Sequence, residues 1–388
     1  MVGKESQEQT ILLTQELIQQ NSLSGRESGA AGVLKTWLQR LDFDLVEVDV
    51  FGNVIASKKG ANPGKRVHFD GHLDVVEVSN PEKWKYDPFS GKIIEGKIWG
   101  RGASDMKGPL AAVAIALGNL PREQFCGTLT LSGSVGEEKH EGLALEKVMQ
   151  QTRPDFVVIC EPNGAAIGIG QKGRAGIWVD VLGKPAHSSV PHLGENAIYR
   201  AMEVIERLRN MVLPKEELLG EGIMVLIDGI SRPYPSRSTI PTGFYMHFDR
   251  RLMSMENEES IMNSLRDALD GIDNVDFGFQ QVSYDTYTGN TLAGADFHPG
   301  WKIEVDSPWI MKAQEGLQMV GQNPELKAVK FCTNGSYSAG IAGVPTMIYG
   351  PSSGMLAHCK DEHIEIEELL GGLQGYWGLA SALGNTLV

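Results

Sequence analysis

The chain has 388 residues, 41% of them hydrophobic and 22% charged, and a formal net charge of −14. At roughly 150 residues per domain, that length predicts two or three domains with ample apolar side chain for a core. The acidic balance excludes a nucleic-acid surface, which needs clustered Lys and Arg, and the most apolar stretch, 110–117, is far short of the roughly 20 residues that span a bilayer.

The N-terminal segment MVGKESQEQTILLTQELIQQ has no continuous apolar run and no small-residue cleavage site. The four cysteines, Cys126, Cys160, Cys332 and Cys359, are scattered and form no C-x-x-C pair. Together these features predict a cytoplasmic protein with reduced thiols, no disulfide framework and no membrane partner. Amphipathic helices are predicted at 7–20 and 28–41; in the second, Ala31, Leu34, Trp37, Leu38 and Leu41 recur at helical spacing. Short β-like runs follow at 45–50, 53–57 and 65–69, the last two separated by the Gly/Pro loop 60–64. An Ala-rich helix is predicted at 107–119, and buried strands at 129–134 and 156–160. Strands alternating with helices predict an α/β sheet, at least partly parallel.

Near Gln171 the pattern changes. A strand at 177–182, a helix at 196–211, strands at 222–230 and 243–252, a helix at 260–269 and a strand at 275–284 give the order β-α-β-β-α-β, the ferredoxin-like unit. This predicts a second domain, 173–292, inserted between two parts of the first, 1–172 and 293–388. The last part returns to α/β character, with a helix at 308–320, strands at 327–331 and 344–349, and a final helix from 365.

Chemistry-bearing residues gather at the predicted strand ends. Alternate residues of RVHFDGHLDVV share a face, so His72 and Asp74 point the same way, as suits a metal ligand backed by a carboxylate. His68 and Asp70 repeat the spacing, so the pair alone decides little. Asp105, in WGRGASDMKGPLAA, opens an apolar helix and suits either an N-cap or a ligand. Val135-Gly136-Glu137-Glu138 sets two carboxylates side by side after a strand, a repulsion that a cation would offset. A solvated acidic turn has the same appearance, the more so before Lys139-His140-Glu141. Glu161 ends another apolar strand, and His358 lies in a loop after the strand ending near Tyr349. Sites in α/β sheets form at the carboxyl ends of strands, and five separate bland explanations are less economical than one site. Two imidazoles with carboxylate oxygens suit zinc, with Mn²⁺ or Co²⁺ as alternatives.

The segments GHLDVV, WKYDPFSGKIIEGKIWGRGASDMKG, GEE, CEP, GKPAHSSVPHLGENAI and the distal AH resemble the M20 metallopeptidase family, the group of acetylornithine deacetylase, succinyl-diaminopimelate desuccinylase and glutamate carboxypeptidase. The match runs in order from about residue 10 to the C-terminus. The resemblance implies a zinc-peptidase-like α/β fold, a mixed sheet flanked by helices, carrying an inserted ferredoxin-like α+β domain that acts as lid and dimerisation domain. It implies that His72 and Glu161 hold one divalent metal ion, that Glu138 and His358 hold the other, and that Asp105 bridges them. Asp74 then orients the His72 region, and Glu137 is the general base toward a metal-bridging water. His187, locally only a surface-loop histidine, is implied to reach across a homodimer and stabilise the oxyanion. Arg251, in FDRRL beside Arg250, is implied to grip a substrate carboxylate.

The chain departs from the family pattern at Ser238-Thr239-Ile240-Pro241, where many relatives carry Asn before Ile-Pro, and at Phe331-Cys332-Thr333-Asn334-Gly335-Ser336, where many carry Gly-Gly-Thr-Asp or Gly-Gly-Thr-Ser. Both stretches resemble substrate-lining positions, which makes Asn334 a candidate substrate contact and leaves the acyl group open. The resemblance at Glu161 implies a deacylase or carboxypeptidase-like enzyme acting on the amide bond of a small N-acyl amino acid or a dipeptide-like substrate. The other readings are a dipeptidase or aminopeptidase of the same fold, and a catalytically silent, metal-stabilised dimeric binding protein. Glu137 argues against the last, because a protein that only held metal would not need a base.

Overall fold

The computed structural model describes residues 2–234 and 237–386. Nine strands form the central sheet. Its spatial order is Leu45–Val48, Val54–Lys59, Cys126–Ser134, Asn62–His72, Phe156–Ile159, Thr346–Ile348, Ile167–Gln171 and Trp301–Lys302, with Leu326–Val329 pairing Ile167–Gln171 off this path. The middle is parallel: Asn62–His72 pairs in parallel with both Cys126–Ser134 and Phe156–Ile159, and Thr346–Ile348 continues the parallel run. The flanks are antiparallel apart from Leu326–Val329, which pairs in parallel with Ile167–Gln171, so the sheet is mixed.

Period-2 alternation along Asn62–His72 explains its two faces. Val67 and Phe69 enter an apolar cluster under the helices Lys4–Ile18, Ser28–Arg40, Lys107–Asn119, Pro308–Met319 and Ile366–Leu383. His68, Asp70 and His72 point the other way. The Lys107–Asn119 helix is buried from Lys107 to Gly118, as expected of a helix apolar all round and walled in by its neighbours. On the opposite face the Leu143–Thr152 helix, which the sequence pattern did not single out, covers Ile55, Val157, Ile159 and Ile348.

The second unit is a four-stranded antiparallel sheet in the order Ile223–Arg232, Gly243–Leu252, Gly173–Leu182, Val275–Phe279, joined at one end by the short Phe297–His298 strand. Its helices, Ala197–Arg209 and Glu258–Ala268, seal a core of Ile177, Val179, Val181, Met246, Phe248, Val204 and Leu265. Both the chain order and the spatial order are ferredoxin-like.

The connection back to the first unit differs from the single strand expected at 275–284. The sheet strand ends at Phe279, and Gln281–Asp285 instead pairs with Thr291–Ala295 as a hairpin. Gly289, with φ 83°, supplies the left-handed turn. This hairpin lies on the first unit: the Tyr287 hydroxyl donates to the Gly52 carbonyl at 3.0 Å, the Tyr284 hydroxyl to the Val135 carbonyl at 3.3 Å, and Leu292 joins the main core. Where the outgoing and returning chains cross, Gly173 and Gly300 meet back to back; a Cβ on Gly173 would stand 2.3 Å from the Gly300 nitrogen.

Candidate metal centre

The strand Asn62–His72 delivers His72 to the carboxyl edge of the parallel core. Its Nδ1 lies 2.9 Å from the backbone carbonyl of Asp74 and 3.5 Å from that residue's Oδ1. Nδ1 is turned to that carbonyl, which leaves Nε2 as the nitrogen facing the acidic groups, with Asp105 Oδ1 at 3.2 Å and Glu161 Oε1 at 3.5 Å. Asp105 sits in a turn held from below by Glu362. The buried Glu362 carboxylate accepts the amides of Ser104 and Asp105, each at 3.0 Å, and a 2.6 Å hydrogen bond from Arg101. His358 brings Nε2 to 2.9 Å from Glu138 Oε2 and 3.4 Å from Asp105 Oδ2.

Two ligand groups result, His72–Asp105–Glu161 and Asp105–Glu138–His358, each with its donor atoms within 4.8 Å of one another and with Asp105 common to both. The electrostatics fit cations there. Burial, reinforced by Asp105, pushes Glu161 well above the usual carboxylate range. Burial does the same to Glu137, helped by Glu161 and Glu138 against the opposing pull of His72. Burial would lower His72, but the Asp105 and Asp74 carboxylates outweigh it and hold the imidazole well above its ordinary value. So many desolvated carboxylates around two imidazoles are short of positive charge, and divalent cations are the groups that supply it.

Glu137 is buried beside this set and belongs to neither ligand group. It lines a cavity of about 480 Å³ together with Asp105, Glu138, Glu161, Arg174, Arg251, Phe331 and Cys332. A larger cavity of about 780 Å³ among Gln7, Gln124, Met319, Gln374 and Trp377 has no titratable side chain in its lining among the described residues. Asp74 is fully buried, its two oxygens accepting the amides of Glu137 and Glu138 at 3.1 Å and the Ser24 hydroxyl at 2.7 Å. It therefore grips the carboxylate-bearing turn as well as His72. Arg251 is tied by Nε to Asp249 at 2.9 Å and contributes to the cavity wall. Arg250 points the other way, buried against Glu256 at 2.6 Å and Ser264 at 2.9 Å. Cys332 lines the cavity, but burial pushes its thiol well above the usual range, so it stays protonated.

Asn334 and His187 are both absent from this chain's cavity lining, as expected for His187, whose anticipated place is a partner's site, but not for Asn334. Asn334 is buried, its amide donating to Asp70 Oδ2 at 2.8 Å and Ser134 Oγ at 3.1 Å while its oxygen accepts the Gly142 amide at 2.6 Å. Every polar atom is consumed inside the fold, so Asn334 braces the sheet and is not available to substrate. The reason is its inward rotamer onto the polar face of Asn62–His72, where His68 contacts the Thr130 and Ser132 hydroxyls at 2.6 and 2.8 Å and Ser132 donates in turn to Asp70. His187 is exposed on the second unit, with Nδ1 2.8 Å from Ser189 Oγ, and is absent from the cavity lining of its own chain.

Sequence reasoning did not single out Glu362, Arg101, Ser24 or Glu27. Nor did it find the buried ion network in which Arg174 meets Glu141 at 3.0 Å and Asp296 at 2.9 Å where the two units join.

A profile of Peptidase family M20/M25/M40 matches residues 68–381, a span that holds all five residues of the two groups that could hold metal. The chain belongs to this peptidase family. The Escherichia coli K12 protein named "Uncharacterized protein YgeY" is 32% identical over 341 residues, 85% of this chain and 83% of its own. A succinyl-diaminopimelate desuccinylase of Ehrlichia canis is 28% identical over 383 residues, covering 92% and 94% of the two chains. Among solved structures, a Bacillus subtilis protein described as a dinuclear metal binding peptidase from the M20 family superposes with a TM-score of 0.74 at 16% identity, covering 99% and 100%. This M20 member is a hydrolytic enzyme, and its chemistry is metal-dependent amide hydrolysis. Among the described residues, no helix is long and apolar enough to cross a membrane.

Proposed function

We propose that this M20 enzyme removes the acyl group from a small N-acyl amino acid, or splits a dipeptide-like substrate, using two divalent cations, zinc by preference. His72, Asp105 and Glu161 would hold one cation and Asp105, Glu138 and His358 the other. When bound, the pair supplies Lewis acidity, making a water acidic enough to attack and polarising the scissile carbonyl. The observation that carries the reading is Glu137: a buried carboxylate beside both ligand groups, a member of neither, and open to the cavity. Its raised proton affinity suits a group that takes a proton from water and returns it to the leaving amine.

Arg251 lines the cavity as a guanidinium held by Nε to Asp249, which supports a carboxylate at one end of the substrate. Phe331, Pro162 and Ala357 give the same cavity apolar wall, suited to an uncharged portion of the substrate.

The completed site, on this reading, belongs to a homodimer joined through the lids. Ile223–Arg232 is an edge strand exposing Ile223, Val225, Ile227 and Ile230, and the neighbouring helix exposes Tyr199 and Met202. An unpaired apolar edge of that kind is normally covered, and a second copy would bring its His187 toward the opposite cavity. The competing readings are a dipeptidase or aminopeptidase and a silent binding protein. A cytoplasmic location remains part of the proposal on cysteine usage alone.

The test is a turnover screen of N-acyl amino acids and dipeptides after loading with Zn²⁺, Mn²⁺ or Co²⁺. Release of free amino acid from the N-acyl series at a higher kcat/KM than from dipeptides supports the deacylase reading. The reverse order favours the dipeptidase, and no release from either series sinks both.

A further inference from the structure

Three consecutive amides in the turn that carries Glu137 and Glu138 each donate to a buried carboxylate. Glu137 and Glu138 donate to the two oxygens of Asp74 at 3.1 Å, and Gly136 donates to Glu27 Oε1 at 3.2 Å. Glu27 lies more than a hundred residues away in sequence, immediately before the Ser28–Arg40 helix, and is fully buried. The same Oε1 accepts the Gly25 amide at 2.9 Å, while Oε2 has no hydrogen-bond partner. Among the described residues no cation pairs with it, and the Asp74 carboxylate acts on it electrostatically. Burial and that neighbour raise its proton affinity to about 7. A buried carboxyl with one idle oxygen is a costly way to fill space, so what its other oxygen holds needs a reason.

What it holds is the hinge of the turn. Gly136 has φ 64°, and a Cβ there would stand 2.2 Å from the Tyr284 hydroxyl, so this peptide is fitted from both sides. The preceding Val135 donates its amide to Asn53 Oδ1 at 3.0 Å and accepts from Tyr284 at 3.3 Å. Among the described residues, Glu27 is the group that reaches the Gly136 N–H, the last peptide before Glu137 turns into the cavity and Glu138 turns toward His358.

We propose that Glu27 is a positioning residue for this pair: by accepting the Gly136 amide it fixes the peptide that aims Glu137 into the cavity and Glu138 at the His358 half of the centre. The proposal rests on Glu137 being the base and Glu138 a ligand. It makes reach, not charge, the property that matters. Glu27→Asp keeps the carboxyl group and withdraws the oxygen by one methylene; Glu27→Gln keeps an accepting oxygen in place and cannot ionise.

The experiment uses the full chain loaded with zinc. Retention of Zn²⁺ against a chelator is read without substrate, and kcat and KM are read at saturating Zn²⁺ with an N-acetyl amino acid or dipeptide that the wild type turns over. Glu27→Asp should loosen one zinc about 10-fold, the size typical for residues that orient metal ligands. It should also lower kcat about 10-fold with KM moved less than about twofold, because the defect is in the reacting geometry. Glu27→Gln should stay within about threefold of wild type in both readouts. Wild-type zinc retention or wild-type kcat in Glu27→Asp overturns the proposal whatever happens to the melting temperature, since a merely structural role would move only that. A Glu27→Gln protein as impaired as Glu27→Asp overturns it equally. Glu137→Gln, assayed in parallel, separates this outcome from failure of the base assignment: normal turnover there refutes the base and leaves the zinc readout to judge Glu27.

Discussion

Replacing Asn334 by Ala distinguishes a brace from a substrate contact. The side chain makes three hydrogen bonds, to Asp70 at 2.8 Å, to Ser134 at 3.1 Å and from Gly142 at 2.6 Å. Ser134 keeps a second partner, the Gly71 carbonyl at 3.2 Å, so truncation strands two buried groups, the Gly142 N–H and one Asp70 oxygen. At about 1–3 kcal/mol for each stranded group, the variant should lose about 2–6 kcal/mol of stability. Chemical unfolding of the metal-loaded protein measures this as a lower midpoint at unchanged slope. The folded fraction, assayed on any accepted N-acyl amino acid, should keep its KM within about twofold, because nothing that touches substrate has been removed. An unfolding midpoint equal to wild type, together with a KM raised about tenfold or more, would refute the brace and restore Asn334 to the substrate pocket.

Glu138→Gln removes a ligand oxygen charge and should release one of two metals on elemental analysis, with the other retained by His72, Asp105 and Glu161; full retention of both contradicts the ligand set. His187→Ala and Glu137→Gln subunits, each slow alone, should recover about a quarter of wild-type activity when mixed equally and allowed to exchange, as expected for independent sites in random dimers; no recovery despite proven exchange means that His187 does not serve a partner. His68 is buried and held neutral, its affinity for a proton lowered to about 3 by desolvation. The unfolded chain therefore binds the extra proton below the ordinary value of 6.5, so the His68 contribution is whole above that pH. It is lost as pH falls toward 3, at up to about 1.4 kcal/mol per pH unit. Stability measured from pH 7 to 4 should fall less steeply in His68→Gln, and an equal slope in the two proteins contradicts the assignment.

Much of the centre was legible because its residues carry local marks. His72, the Glu137–Glu138 pair and Glu161 each follow an apolar strand run, and parallel pairing of Asn62–His72 with its two neighbours brings those strand ends to one edge. The ferredoxin-like order was equally plain in the sequence, since its two helices keep a clear apolar stripe and its strands alternate. The braces were not legible. Glu362 lies 257 residues from the Asp105 amide it accepts and Glu27 lies 109 from Gly136, and a lone Glu at either place reads as surface. Asn334 misled because motif position says nothing about rotamer direction. The hairpin 281–295 was missed although Thr288-Gly289-Asn290 is a readable turn; the alternation on its first strand runs on smoothly from the Val275–Phe279 strand before it.

Turnover by Glu137→Gln at full metal loading tests the central claim most directly. The substitution keeps the size of the side chain and leaves all five proposed ligands in place. Two metals per chain and an unchanged KM, with kcat lowered about 10²-fold or more, are predicted for loss of proton transfer. Wild-type kcat in a protein shown to hold both metals would contradict the account.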